Sequence, residues 1–195
     1  MIHLAFVVST YEDPMALMGC LASLKLQQTN GDCKISIHVT DNSVRSEALD
    51  NTEDVCKLFD DVKYYRTQAE CYGSAEYVVL EKSFRADYVC FASSDSYYVP
   101  GFTLTMLETA YRSKADLVYC NCLYDPRLHG RGLYSVLETF PEMRWIDKTS
   151  FIVRKSLFKG FPLHEKDWRD GALVESFVKK NYKLAKAKGV LVVHN

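Results

Sequence analysis

The sequence has no apolar run approaching the roughly 20 residues that a membrane-spanning helix needs. Its opening, Met1-Ile2-His3-Leu4-Ala5-Phe6-Val7-Val8, lacks the basic residues of a secretory leader and reads as a buried strand. Charge of one sign is also missing. Lys plus Arg number 24 against 25 Asp plus Glu, a formal net charge of -1, and no dense basic stripe occurs. Nucleic acid is therefore not expected as the main partner. There is no Gly-x-Gly-x-x-Gly after the first strand and no Gly-x-x-x-x-Gly-Lys-Ser/Thr, which disfavours dinucleotide dehydrogenases and P-loop NTPases. No Cys-x-x-Cys occurs among the seven cysteines, whose odd number and apolar surroundings suit small buried hydrophobes in a reducing compartment. The expected location is cytoplasmic. Cys120 and Cys122 share one face of a strand, but a zinc site would want more ligands nearby.

What is present is the balance of a globular protein, 48% hydrophobic and 25% charged over 195 residues. That length suits one domain able to bury roughly 70% of its unfolded surface without a metal or disulfide staple. Apolar periodicity predicts strands over 4–9, 34–40, 62–65, 87–92 and 116–123, alternating with helices over 14–28, 51–59, 73–84 and 100–113. Asp13 reads as an N-cap with Pro14 in the first turn. The tail adds a strand over 149–153, a helix over 168–180, and strands over 182–185 and 190–194. Tyr124 to Phe140 lacks periodicity and reads as a long functional loop. The fold class is α/β, a single domain with a mostly parallel sheet and helices on both faces.

In open α/β sheets, ligands collect beyond the carboxyl ends of the strands. The first strand delivers Ser9-Thr10-Tyr11, the second Asp41-Asn42-Ser43, the fourth Ser93-Ser94-Asp95-Ser96, and the last His194-Asn195. Carboxylates, hydroxyls, an aromatic and a histidine thus converge on one rim.

The ordered set Phe6-Val7-Val8-Ser9-Thr10-Tyr11, Val39-Thr40-Asp41-Asn42-Ser43, Phe91 to Phe102 and Asp167-Trp168-Arg169-Asp170 resembles the GT-A glycosyltransferases, family 2 most closely, over nearly the whole chain. The resemblance implies a Rossmann-like GT-A domain over 1–195, with a nucleotide-sugar-binding half at 1–123 and an acceptor-side half at 124–195. It implies that Ser9, Thr10 and Tyr11 lie beside the nucleotide, Tyr11 stacking on uracil and Asp41 accepting from a base N–H. Ser93-Ser94-Asp95 falls on the Asp-x-Asp motif, so Ser94 would line the donor site and Asp95 would bind Mn2+ or Mg2+ together with His194. Asp170 aligns with the base that activates the acceptor hydroxyl. The partners so implied are a UDP-sugar donor and a saccharide or other hydroxyl acceptor.

The chemistry wants such groups. A nucleoside diphosphate leaves with several negative charges, which a divalent cation neutralises. Carboxylate and water suit both metals, and imidazole suits manganese. An acceptor hydroxyl needs a carboxylate to take its proton, and the start of a helix favours a carboxylate at Asp170. Other roles stand beside these: Asp41 and Asp95 as turn or cap residues, His194 as an exposed end residue, and Glu165 or Asp167 as the base. Arg66 is placed to reach the nucleotide from the end of its strand. Trp145 and Trp168 would line an acceptor pocket or fill the core. Departures from the family pattern are Ser93 for the first Asp, Ser96 for a frequent acid, Arg169 for a frequent Glu, and Ala75-Glu76-Tyr77 for Ala-Arg-Asn. The expected activity is a metal-dependent, inverting glycosyl transfer; the alternative is a nucleotide-sugar-binding module with weak or lost turnover. A nucleotidyltransferase is disfavoured, because Ser9 to Pro14 contains neither glycine nor a basic residue.

Overall fold

The computed structural model describes residues 1–67, 76, 79, 80, 84–124, 134–142, 145–158 and 170–194. Its strands are β1 (Ile2–Thr10), β2 (Cys33–Asp41), β3 (Val62–Arg66), β4 (Tyr88–Ser93), β5 (Ser96–Tyr98), β6 (Leu117–Tyr124), β7 (Ser135–Leu137), β8 (Phe151–Arg154) and β9 (Leu184–His194). The helices are α1 (Pro14–Lys25), α2 (Ser46–Lys57), α3 (Phe102–Ser113) and α4 (Asp170–Lys179). Residues 76, 79 and 80 are helical too, within the helix expected over 73–84.

The strands form one sheet in the order β3-β2-β1-β4-β8-β6-β9-β5, with β7 paired to β6 outside that row. The block β3-β2-β1-β4 is parallel throughout. Strand β8 runs antiparallel to both β4 and β6, and β6 and β9 are again parallel. This is the expected α/β architecture.

Alternation along β1 explains why both faces are covered. Leu4, Phe6 and Val8 join a core with Leu17, Leu21 and Leu24 of α1 and Met106 and Ala110 of α3. Val7 enters a second core with Val89, Phe91, Val153, and Leu173, Val174 and Phe177 of α4. Burying each large side chain contributes about 1.5–3 kcal/mol. Asp13 caps α1 as its spacing predicts, accepting the Ala16 N–H at 2.9 Å with Pro14 following. Among the described residues, no helix is long and apolar enough to cross a membrane.

The structure departs from the periodicity in several places, among them the unexpected strand β5. Helix α2 starts at Ser46 rather than near 51, and the Glu12 side chain accepts the Val44 and Arg45 N–H groups just ahead of it, both at 2.9 Å. A carboxylate distant in sequence thus serves the helix entry. The strands expected over 182–185 and 190–194 are one strand, β9, whose register against β6 shifts near Asn121, while Gly189 adopts φ +97°. Bulges lengthen one strand relative to its partner, and glycine tolerates that backbone. Finally, the stretch expected as a loop over 124–140 contains β7, which pairs with the end of β6; 125–133 lie outside the described residues.

One buried histidine makes the fold acid-sensitive. His38 is fully buried, between Tyr65 and Phe84, with Ser36 Oγ at 3.2 Å from Nε2 and Tyr65 Oη at 3.2 Å from Nδ1. Burial, then the charge of Lys63, lowers its pKa from 6.5 to about 4. The unfolded ring therefore takes up a proton before the folded one does. The stabilisation is complete above pH 6.5 and is lost as pH falls from there toward 4, by on the order of 3 kcal/mol. Urea unfolding at pH 7.5 and pH 4.5 should show this loss in the wild type, and His38→Gln should flatten it. Equal pH dependence in both proteins would rule the histidine out as the cause.

Candidate active site

Backbone register assembles the rim. Thr10 lies opposite Asp41, Asp41 opposite Arg66, and Ser9 opposite Ser93. The Ser94 N–H donates to the Ser9 carbonyl at 2.9 Å, tying the turn after β4 to the end of β1. At the other side, antiparallel pairing of β5 with β9 sets Ser96 opposite His194. The structure thereby gathers Ser9, Thr10, Asp41, Arg66, Ser94, Asp95 and His194 along one edge. Tyr11, next in the chain, is 55% exposed, as a stacking surface would require.

Asp41 is fully buried. Its Oδ1 accepts the Ser43 N–H at 2.9 Å and the Ser43 hydroxyl at 2.6 Å, and its Oδ2 accepts the Tyr64 hydroxyl at 3.0 Å. These contacts are those of a turn anchor. A nucleobase reaches this carboxylate only if the covering side chains move. Burial, then the Asp41 charge, pushes the Tyr64 phenol above its ordinary pKa, so it stays a donor. The network continues outward: the Glu12 N–H donates to Ser43 Oγ at 2.7 Å, and the Glu12 carboxylate pairs with the Arg45 guanidinium. Glu12 has φ +57°, a conformation costly for a non-glycine residue and held here by these bonds.

The cation-binding candidates meet at the opposite side of the rim. His194 Nδ1 lies 3.7 Å from Asp95 Oδ1 and 2.9 Å from Ser96 Oγ. Asp95 Oδ1 is buried and has no hydrogen-bond partner. Thr10 Oγ1 and Glu76 Oε2 are in the same condition, and among the described residues these are the three such side-chain atoms. Buried polar atoms are nearly always satisfied, so these oxygens are left as acceptors for water or a polar ligand. Ligands about 2.1 Å from a shared octahedral cation sit roughly 3 Å apart when adjacent and about 4.2 Å when opposite. The Asp95–His194 separation of 3.7 Å matches neither value, so a shared octahedral cation would draw the two side chains closer together; the donor set suits manganese. Among the described residues, no group of three His, Cys, Asp or Glu forms a metal cluster. Diphosphate oxygens and water would have to complete the sphere.

Three residues of this edge are not anticipated by the strand-end search. Asp147 Oδ2 lies 3.9 Å from His194 Nε2, the ring nitrogen other than the one nearest Asp95. Lys148 Nζ pairs with Glu76 Oε1 at 2.6 Å and donates to Ser9 Oγ at 3.0 Å, with Lys148 and Glu76 both buried. Asp147 and Lys148 precede β8, and because β8 runs antiparallel to β4 its beginning arrives where β4 ends. The signal available in the sequence is the polar Asp147-Lys148-Thr149-Ser150 run before an apolar strand.

Asp170 is the first residue of α4. Trp168, Arg169, Glu165 and Asp167 lie outside the described residues, as does the turn from Phe161 to Asp167. Trp145 is 51% exposed and meets Phe140 edge-on at 6.3 Å. Cys120 and Cys122 are fully buried, with Cys120 Sγ donating to the Ser150 carbonyl at 3.4 Å; burial pushes the Cys122 thiol up to about 12. They are core side chains.

Residues 5–155 match the profile of "Glycosyl transferase family 2". Sequence comparison with curated proteins gives no match. The fold is similar to the crystal structure of S. aureus TarS 1–349, with TM-score 0.74, 17% identity, and coverage of 100% of this chain and 60% of that one. The TarS complex with UDP-GlcNAc gives TM-score 0.71, 17% identity, and coverage of 98% and 58%. The mannosyltransferase PcManGT from Pyrobaculum calidifontis, in complex with GDP-Man and Mn2+, gives TM-score 0.77, 13% identity, and coverage of 98% and 56%. The chain therefore spans about 60% of the length of these proteins or less.

The contacts of Asp41 lead to one expectation. Tyr64→Phe removes the donor to Oδ2 and should cost about 1–3 kcal/mol, the penalty for stranding a buried polar atom. Urea unfolding measures this directly, and a loss below about 0.5 kcal/mol would show that another donor takes over.

Proposed function

Because the chain belongs to glycosyl transferase family 2, we propose that it transfers a glycosyl group from a UDP-sugar to a hydroxyl acceptor with the help of Mn2+ or Mg2+. The observation that carries the metal-assisted reading is Asp95 Oδ1, buried without a partner and 3.7 Å from His194 Nδ1 at the carboxyl edge of the sheet. The UDP-GlcNAc complex of TarS and the GDP-Man and Mn2+ complex of PcManGT, each sharing this fold, support the choice of a nucleotide-sugar and of a divalent cation.

In this reading the exposed Tyr11 ring stacks on the base, and Ser9, Thr10 and Ser94 line the donor. Asp41 holds the turn that shapes the base side, and Arg66, exposed at the end of β3, is available to the nucleotide. Asp95 and His194 would hold the cation, which when bound supplies charge neutralisation for the departing diphosphate. Asp170 takes the acceptor proton as the hydroxyl oxygen bonds to the anomeric carbon. The bond from that carbon to UDP breaks on the opposite side, so the configuration inverts. A cytoplasmic location belongs to the same proposal, supported by the free thiols of Cys20, Cys33, Cys56, Cys90, Cys120 and Cys122.

Ser93, where the family often has its first metal-motif Asp, favours a second reading, a module that binds nucleotide-sugars and turns them over weakly or not at all. Two experiments separate the possibilities. Calorimetry of UDP with Mn2+ should show at least about tenfold weaker binding in Asp95→Ala than in the wild type; unchanged affinity would remove the cation from Asp95. Sugar release from a panel of UDP-sugars should fall about 10²–10⁴-fold in Asp170→Asn while UDP affinity holds. A wild-type protein that binds UDP yet releases no sugar would establish the binding module instead.

A further inference from the structure

We propose that Asp147 is a positioning residue for the cation site, holding the His194 imidazole so that its Nδ1 lone pair is directed to the metal beside Asp95. This rests on the preceding reading that Asp95 and His194 hold the cation.

His194 stands between two carboxylates. Asp95 Oδ1 is 3.7 Å from Nδ1, and Asp147 Oδ2 is 3.9 Å from Nε2. The nitrogen nearest Asp95 is Nδ1 and the one nearest Asp147 is Nε2, so a cation shared with Asp95 would bind at Nδ1 in place of the Ser96 hydroxyl, 2.9 Å away. A nitrogen that gives its lone pair to a metal leaves the ring proton on the other nitrogen, here Nε2. Asp147, an acceptor, lies 3.9 Å from that nitrogen, beyond hydrogen-bond length, so a small turn of ring or carboxylate on metal binding would close the contact. Carboxylates in this relation to metal-bound imidazoles fix the ring and raise its basicity as a ligand. The Ser96 hydroxyl on the Nδ1 side can donate or accept, so it does not by itself choose the tautomer.

Asp147 is itself held. Its Oδ1 accepts the Thr149 N–H at 2.8 Å and the Thr149 hydroxyl at 2.6 Å, which leaves Oδ2 turned to His194. The next residue, Lys148, is anchored by its buried pair with Glu76 and its bond to Ser9 Oγ. The imidazole is backed by the Tyr124 ring, 5.6 Å between centroids, and its backbone is fixed opposite Ser96. A ligand histidine near the chain end thus acquires a defined orientation from three other elements.

The test is a double-mutant cycle on Mn2+ affinity, read by the loss of the free Mn2+ signal in electron paramagnetic resonance with saturating UDP. Asp147→Ala should weaken Mn2+ about 10–100-fold. Asp147→Asn, which keeps an acceptor oxygen for Thr149 but loses the charge, should fall between Asp147→Ala and wild type. The Asp147→Ala/His194→Ala protein should bind Mn2+ no more weakly than His194→Ala alone, because Asp147 acts through the ring. Wild-type affinity in Asp147→Ala, or losses that add in full, would overturn the proposal while leaving the cation site standing. Absence of Mn2+ binding by the wild type would overturn the cation site itself and this inference with it. Circular dichroism identifies variants that fail to fold, and in that event the cycle is run with Asp147→Asn.

Discussion

The parallel register that sets Ser9 opposite Ser93 and Thr10 opposite Asp41 is the constraint on which the rest of the molecule depends. Ladder hydrogen bonds along β1 and its two neighbours fix it, and alternation along β1 locks it further, since a slip of one residue would turn Leu4, Phe6 and Val8 into the opposite core. Once that register holds, three turns distant in sequence meet at one edge. The site is therefore a consequence of core packing. The polar side chains of the candidate site contribute little to choosing the fold.

The rim is stiffened by polar groups that the core cannot supply. On the base side, Asp41, Ser43, Tyr64 and Glu12 form one continuous chain of hydrogen bonds between the turns after β1 and β2. In the middle, the buried Lys148–Glu76 pair ties the entry of β8 to a helical residue between β3 and β4. Buried ion pairs of this kind are poor sources of net stability because desolvation offsets the attraction, but breaking one is strongly destabilising. Their effect here is positional. They hold Ser9 and Asp147 in place from behind while Thr10 and Asp95 keep side-chain oxygens without a partner at the edge.

The described part of the candidate site lies along one edge of the sheet. The cation candidates, the exposed Tyr11 and the orphaned oxygens of Thr10 and Asp95 lie at or just beyond strand ends of the shared sheet, whereas the orphaned Glu76 Oε2 is on a helical residue. Asp170 is the first residue of α4, which follows a segment outside the described residues. Membership of glycosyl transferase family 2 connects these parts to one reaction class, and the chain covers only part of the longer proteins whose fold it shares.

The alternating strand and helix pattern, the Asp13–Pro14 helix start and the polar residues after β1, β2 and β4 were legible in the sequence because each depends on a few consecutive side chains. Apolar spacing reports burial locally, and a polar turn after a buried strand reports the edge of a parallel sheet. Asp147, Lys148 and the anchoring role of Tyr64 were decided by the tertiary structure alone. They reach the site because β8 runs against β4 and because β3 pairs beside β2. Strand direction and pairing order are set by contacts between residues far apart in the chain, so no local pattern records them.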